Sequence, residues 1–511
     1  MLMVKVMRIP MVGMAMLLAW NSMAQLDSVA INYAASITEE DLRTHLTILA
    51  SDDYQGRDTG KEGQKMAATY LRRAFERMGI PPIPPHQGPD LVDGYFQPFE
   101  LIEERMGGLD VVSLRDTLAF LNELFYFNEQ LVEDLPVSSL TYMGKASDLT
   151  ASTQAPAGSR AFLFSGAGLP AEISAMVPLR LTMDWARKVE ARVVVVVMDD
   201  LRSLMREMEH VVGGSRMRLA EQVKGEEKAK PQGSQLLLVD RTHADALLAK
   251  GRFSKLQRAK PGKKVPAAFT VRSRPQQQRV VSENVLAFIE GSDRKDEVVV
   301  ITAHYDHVGV EDGVVYNGAD DDGSGTVALL EIAQAFAKAK AAGHGPRRSI
   351  LVMPVSGEEK GLLGSRHYSE NPVFPLENTV ADLNIDMIGR FDSVHVTSEP
   401  YVYVIGSDRL STELHAVNEE ANRLYVGLDL DYTFNAPDDP NRFYYRSDHY
   451  NFARKGVPSI FYFSGVHEDY HKPGDDVEKI RFDLLRQRTL LVFHTAWSLA
   501  NRQGRVAVDK P

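Results

Sequence analysis

From Ser282 onward the chain alternates short, unbroken apolar runs with longer helical stretches, and this alternation confines it to a layered α/β fold. The runs are 285–289, 298–302, 350–355, 380–385, 401–405 and 458–463. Strands that are apolar at every position need cover on both faces, as in a mostly parallel sheet sandwiched by helices. Between them Leu329, Ile332, Ala333 and Phe336 recur at the helical period and predict a helix over 328–338. The expected fold class is α/β: a mixed, mostly parallel sheet flanked by helices on both faces, with a smaller β-rich domain inserted.

With 511 residues, the chain is several times longer than a typical domain of about 100–150. Upstream, residues 36–79 read as two helices around a loop. Thr38 is placed to cap the first, Leu42, Leu46 and Leu49 follow at helical spacing, and Gly79 closes the second. A Pro-rich linker covers 81–89. Residues 105–275 differ in texture, with β-like runs at 137–143, 160–164, 191–198 and 235–239 and a helix expected at 179–189. The charged stretch 224–232 reads as a mobile surface loop. The expected organisation is a discontinuous main domain, 25–104 with 276–505, interrupted by an inserted domain at 105–275.

The first 24 residues have the layout of a secretory signal. Lys5 and Arg8 supply positive charge, 11–20 an apolar run, and Ser22-Met23-Ala24 a cleavage site that would leave Gln25 first. The run falls short of the ~20 residues that span a bilayer. Export to the periplasm or the medium is therefore expected, with no membrane span in the mature chain. A net charge of −11 without a basic stripe argues against a nucleic-acid partner. The chain has no cysteine, so any metal site must be built from His and carboxylates.

In such sheets ligands bind beyond the carboxyl ends of the strands. Run 298–302 ends in Ala303-His304-Tyr305-Asp306-His307, followed by the acidic turn Asn317-Gly-Ala-Asp320-Asp321-Asp322-Gly-Ser-Gly. Run 350–355 leads into Ser356-Gly357-Glu358-Glu359, run 380–385 into Asp386-Met387, and run 458–463 into His467-Glu-Asp-Tyr470-His471. Taken singly, each has an ordinary explanation. A lone His is usually a hydrogen-bonded structural residue, an acidic turn before a helix is usually its cap, and a Glu pair is usually a solvated helix start. Asp386, between Ile385 and Met387, resists that treatment, because a carboxylate at an apolar strand end needs a partner. Together these carboxylates would repel one another unless cations lay among them. His467 and His471 fit the H-E-x-x-H zinc motif, but that mechanism needs a helix, and Pro473-Gly474 leaves no room for one.

These stretches resemble peptidase family M28, zinc peptidases that include bacterial aminopeptidases with paired ions. The resemblance rests on His304-x-Asp306, Gly318-Ala-Asp-Asp-Asp-Gly-Ser-Gly325, Gly357-Glu-Glu-Lys-Gly-Leu-Leu-Gly-Ser365, Asn384-Ile-Asp-Met387, Arg446-Ser-Asp-His449 and Tyr470-His-Lys-Pro473. The segment 105–275 loosely resembles a protease-associated domain. By the resemblance, Asp321 bridges two Zn²⁺ ions (Mn²⁺ or Co²⁺ as alternatives), His304 and Asp386 complete one site, and Glu359 and His471 complete the other. Glu358 is then the general base, Asp306 the partner that orients His304, and Tyr470 a donor to the oxyanion. The implied activity is hydrolysis of peptide or protein substrates from a chain end, by an aminopeptidase. The fold also serves glutaminyl-cyclase-like acyltransferases and non-catalytic binding modules. The Gly361-Leu-Leu-Gly-Ser run after the Glu pair argues against the first, and the complete ligand set against the second.

Overall fold

The computed structural model describes residues 26–105, 108–127, 134–150, 152–169, 176–207, 215–226, 234–273, 276–395 and 400–510. The signal-like segment 1–24 and most of the charged stretch 224–232 lie outside them. Among the described residues no helix is long and apolar enough to cross a membrane.

The chain opens with helices α1 (Ser28–Ala34), α2 (Glu39–Leu49) and α3 (Glu62–Arg77). Thr38 caps α2 by accepting the Asp41 N–H at 3.0 Å, which satisfies one orphan donor of the first turn. Strand β1 (Phe96–Arg105) then leaves the main body, and β2 (Gln276–Val285) returns beside it. The two pair antiparallel along their length, Phe96 opposite Val285 and Arg105 opposite Gln276.

The main sheet comprises β3 (Ala287–Ile289), β4 (Arg294–His304), β5 (Arg348–Val355), β6 (Thr379–Ile385), β7 (Tyr401–Ile405), β8 (Asp429–Asp431) and β9 (Ser459–Phe463). Its order is β3-β5-β4-β6-β9-β7-β8. The central strands β5, β4, β6 and β9 are mutually parallel, while β3 and β7 join antiparallel. The sheet is thus mixed and mostly parallel, as the unbroken apolar runs predict.

Successive residues of β4 divide between two cores. Val299, Ile301 and Ala303 pack with helices α4 (Gly325–Ala341) and α6 (Phe482–Asn501), whereas Val298 and Val300 pack with Tyr368, on α5 (Leu363–Glu370), and Phe452. Each fully buried Val or Ile contributes about 1.5–3 kcal/mol. Both faces being dry explains why no polar alternation survives in these strands.

Residues 109–273 carry an eight-stranded sheet of their own. Its order is Thr117–Leu118, Leu109–Ser113, Lys263–Ser273, Leu135–Lys145, Ala161–Ser165, Val193–Met198, Gln235–Asp240, Leu124–Phe127. The helix expected at 179–189 is present as Met176–Lys188. A ninth strand of the segment, Ser215–Leu219, pairs instead with β1, Leu219 opposite Leu101.

Candidate metal centre

Four parallel strands end on the same edge of the main sheet, and the chemistry lies there. His304 closes β4 and is almost wholly buried. The acidic turn follows, and its three aspartates are buried but do different work. Asp322 accepts the N–H groups of His304 at 3.2 Å, Met387 at 3.0 Å and Gly325 at 2.9 Å, clasping the ends of β4 and β6 to the start of α4. Asp320 accepts the Gly389 N–H at 2.6 Å. The turn is itself held by Asp475, whose carboxylate accepts the N–H groups of Asp320 and Asp321 at 3.0 Å. Only Asp321 is left with both oxygens facing the cleft.

Asp321 Oδ1 lies 3.2 Å from His304 Nε2, and the Asp386 Oδ1 lies 3.6 Å from the same nitrogen. Asp321 Oδ2 lies 3.1 Å from His471 Nε2, which is also 3.1 Å from Glu359 Oε2. His304, Asp321, Glu359, Asp386 and His471, drawn from five separate stretches of sequence, therefore converge. Two three-residue groups have donor atoms close enough to share an ion: His304 with Asp321 and Asp386, and His307 with Asp321 and Glu359. His307 had no role assigned from sequence, though it stands three residues after His304.

The remaining named residues surround this cluster. Glu358 lines the cleft beside Asp321, Asp386 and Tyr470 and belongs to neither group. The Tyr470 ring stacks on His471 with centroids 3.9 Å apart. Asp306 meets His304 through its backbone: the carbonyl accepts from Nδ1 at 3.0 Å, while the carboxylate stands 3.8 Å away. That carboxylate accepts instead from Thr59 Oγ1 at 2.6 Å and from the Glu358 N–H at 3.3 Å. Residues 464–476 contain turns and no helix, and His467 turns to Asp320 at 3.3 Å while His471 turns to Asp321. The H-E-x-x-H arrangement is therefore absent.

Burial and neighbouring charges shift the proton affinities of these groups. Burial opposes ionisation of Asp321, yet the contacts with His304 and His471 hold its carboxyl well below the usual range. Glu359 is similarly brought down to about 2 against burial and Asp321, by His307 and His471. Burial disfavours the charged form of His471, but Asp321 and Glu359 push it up to about 10. Burial drives the Glu358 carboxyl well above its ordinary value, opposed by His304 and reinforced by Glu359 and Asp386. Burial and the same carboxylates raise the Tyr470 phenol, so it keeps its proton.

The cluster also leaves His304 Nε2, His307 Nδ1, Asp321 Oδ2 and Glu359 Oε1 buried without a hydrogen-bond partner. Orphaned buried polar atoms are costly. These four belong to the two groups named above, and nitrogen and oxygen donors of this kind fit zinc-class cations.

Residues 284–496 match the sequence model of peptidase family M28. The chain is 31% identical over 259 residues to a "Probable zinc metalloprotease" of Pyrenophora tritici-repentis, covering 43% of this chain and 52% of that protein. It is 29% identical over 224 residues to "Leucine aminopeptidase 1" of Penicillium rubens, covering 42% and 56%. The chain thus spans about half the length of the curated relatives it matches. A solved aminopeptidase from Aneurinibacillus sp. strain AM-1 superposes with a TM-score of 0.52 at 18% identity, covering 94% of this chain and 98% of that one, which establishes the likeness of fold.

Proposed function

We propose that this chain is a metal-dependent exopeptidase, an aminopeptidase, working with two metal ions. One observation carries the reading. Asp321 turns one oxygen to His304 and the other to His471, the arrangement expected of a carboxylate shared between two ions. His304, Asp321 and Asp386 would hold one, and Asp321, Glu359 and His471 the other. Zinc suits these donors, with Mn²⁺ or Co²⁺ as substitutes. When bound, such ions lower the pKa of water towards neutrality and polarise the scissile carbonyl.

The chain's own residues supply the rest. Glu358 takes the proton of the attacking water and returns it to the leaving amine. Tyr470, protonated, donates its O–H to the carbonyl oxygen as negative charge develops there. Asp306 fixes the His304 ring through its carbonyl and so sets which nitrogen faces the ion. Met387, Phe443, Phe461, Phe463 and Val466 give the cleft an apolar wall, suited to an apolar terminal side chain. The relative named a leucine aminopeptidase supports reading the amino end. In this proposal 25–104 with 276–505 form the catalytic unit, 105–275 an inserted protease-associated-like unit, and 1–24 a signal that exports the chain to the periplasm or the medium.

The test is hydrolysis of aminoacyl chromogenic substrates beside N-blocked and C-blocked peptides, with and without chelator. Chelator-sensitive cleavage of unblocked amino ends is expected. Cleavage of N-blocked peptides alone, or ammonia released from an N-terminal glutaminyl peptide without hydrolysis, would overturn the proposal.

A further inference from the structure

His307 is wholly buried, and neither of its ring nitrogens has a hydrogen-bond partner. Its Nδ1 stands 2.9 Å from Glu359 Oε1 and 3.8 Å from Asp321 Oδ2. The first distance is short, yet the two atoms are not aligned for a hydrogen bond, and both stay unpartnered. With nothing engaging the ring from behind, its chemistry is decided in front, where Asp321, Glu359 and His471 converge.

We infer that His307 is a fourth protein ligand of the metal held by Asp321, Glu359 and His471; the inference rests on the two-metal reading above. The donor separations around that position are 2.9, 3.1, 3.1 and 3.8 Å. Donors on a regular tetrahedron with bonds of about 2.0–2.1 Å would be about 3.3 Å apart, and these separations lie on either side of that value. Glu359 turns Oε1 to His307 and Oε2 to His471, and the two imidazoles meet edge to face with centroids 5.8 Å apart.

The ring's place is built into the acidic turn. Gly318 has φ +55°, and a Cβ there would lie 2.5 Å from His307 Cγ and Cδ2. Any larger residue at 318 would drive the ring out of the position from which Nδ1 reaches the site. The two halves of the centre then differ. One is enclosed by four protein donors, whereas His304, Asp321 and Asp386 leave the other open to substrate. Closed four-ligand sites are the usual mark of tightly held zinc, and three-ligand sites of catalytic zinc, so the His307 side fills first and releases its ion last.

The experiment loads the chelator-stripped full chain with Co²⁺ and compares wild type with His307→Ala and His307→Asn. Asn keeps an N–H donor near the Nδ1 position and so replaces a group that merely positions Glu359, but it does not replace an imidazole ligand. Circular dichroism of the metal-free proteins first establishes that each variant folds. Metal per chain, affinity against a competing chelator, and the paramagnetically shifted exchangeable ring N–H signals in the proton NMR spectrum are then read. Expected are three such signals in wild type at two ions per chain. Both variants should lose one signal and bind the tighter ion more weakly by over about 100-fold, beyond the 10–100-fold effect of a residue that only orients a ligand. Two signals in wild type, or wild-type affinity in His307→Asn, would overturn the inference while leaving the two-metal reading intact. Failure of wild type to bind Co²⁺ at all would overturn both.

Discussion

Ser447 donates its hydroxyl to Asp386 Oδ2 at 2.7 Å, leaving Oδ1 turned towards His304. Behind it, Asn384 donates to Ser447 at 2.8 Å, and Thr302 donates to Asn384 at 2.7 Å. The chain of bonds runs from the middle of the sheet to the proposed ligand and fixes which oxygen faces the ion. Ser447→Ala should therefore weaken binding of the ion on the His304 side by about 10–100-fold while leaving the other largely unchanged. Competition against a graded chelator reads both steps.

The three aspartates of the acidic turn should separate by phenotype. Asp321→Asn should retain the melting temperature of the metal-free chain but fail to hold two ions. Asp322→Asn should do the reverse first: it loses one of two oxygens that together accept three backbone N–H groups, and each donor left unpaired costs about 1–3 kcal/mol. Calorimetry of chelator-treated proteins beside metal analysis makes the comparison. Equal loss of stability in both would contradict the division of labour.

Much of this centre is legible in the linear sequence because parallel strands must be continuous apolar runs, and their ends then mark one edge of the sheet. His304, Glu358, Glu359 and Asp386 stand within four residues of such runs, and Asp321 and His471 lie in the loops beyond them. What escapes is the scaffolding. Arg57 sits in a stretch that reads only as a Gly/Asp-rich loop, yet its buried guanidinium donates to the carbonyls of Leu49, Tyr305, Asn317 and Gly318 at 2.7–2.9 Å. Nothing local predicts a partner some 250 residues away. Asp475 is hidden for the same reason. His307 had a signal, a second imidazole three residues after the first, but only the folded turn shows its ring beside Glu359. In the segment 109–273, strands such as Leu109–Ser113 and Lys263–Ser273 carry polar or charged residues at many positions, so composition alone conceals them.

Glu358→Gln tests the proton-transfer role without disturbing the donors. The amide keeps the shape of the side chain but cannot accept a proton, so metal content should stay at the wild-type value. Turnover should fall by about 10²–10⁴-fold, the usual contribution of a positioned general base. Activity within tenfold of wild type at matched metal content would remove Glu358 from that role.

A last prediction concerns stability rather than chemistry and rests on Glu331, buried on α4. Its nearest basic neighbour is His45 on α2, with Nε2 3.9 Å from Oε1; burial lowers the pKa of that imidazole, so it gives little compensating charge near neutrality. Burial, followed by the field of Asp41, pushes the Glu331 carboxyl up to about 7 from an ordinary 4.5. The folded chain thus holds this proton more tightly than the unfolded one. Between about pH 4.5 and 7 the native state binds more protons, so stability falls as pH rises through that window, and above it the penalty is complete. Glu331→Gln carries no charge to penalise and keeps an acceptor oxygen. It should match wild type near pH 4.5 and exceed it at pH 8 by on the order of 1–3 kcal/mol. Denaturant melts of the metal-free proteins at the two pH values measure the difference, and a stability gap that stays constant between them would show that Glu331 does not titrate in this range.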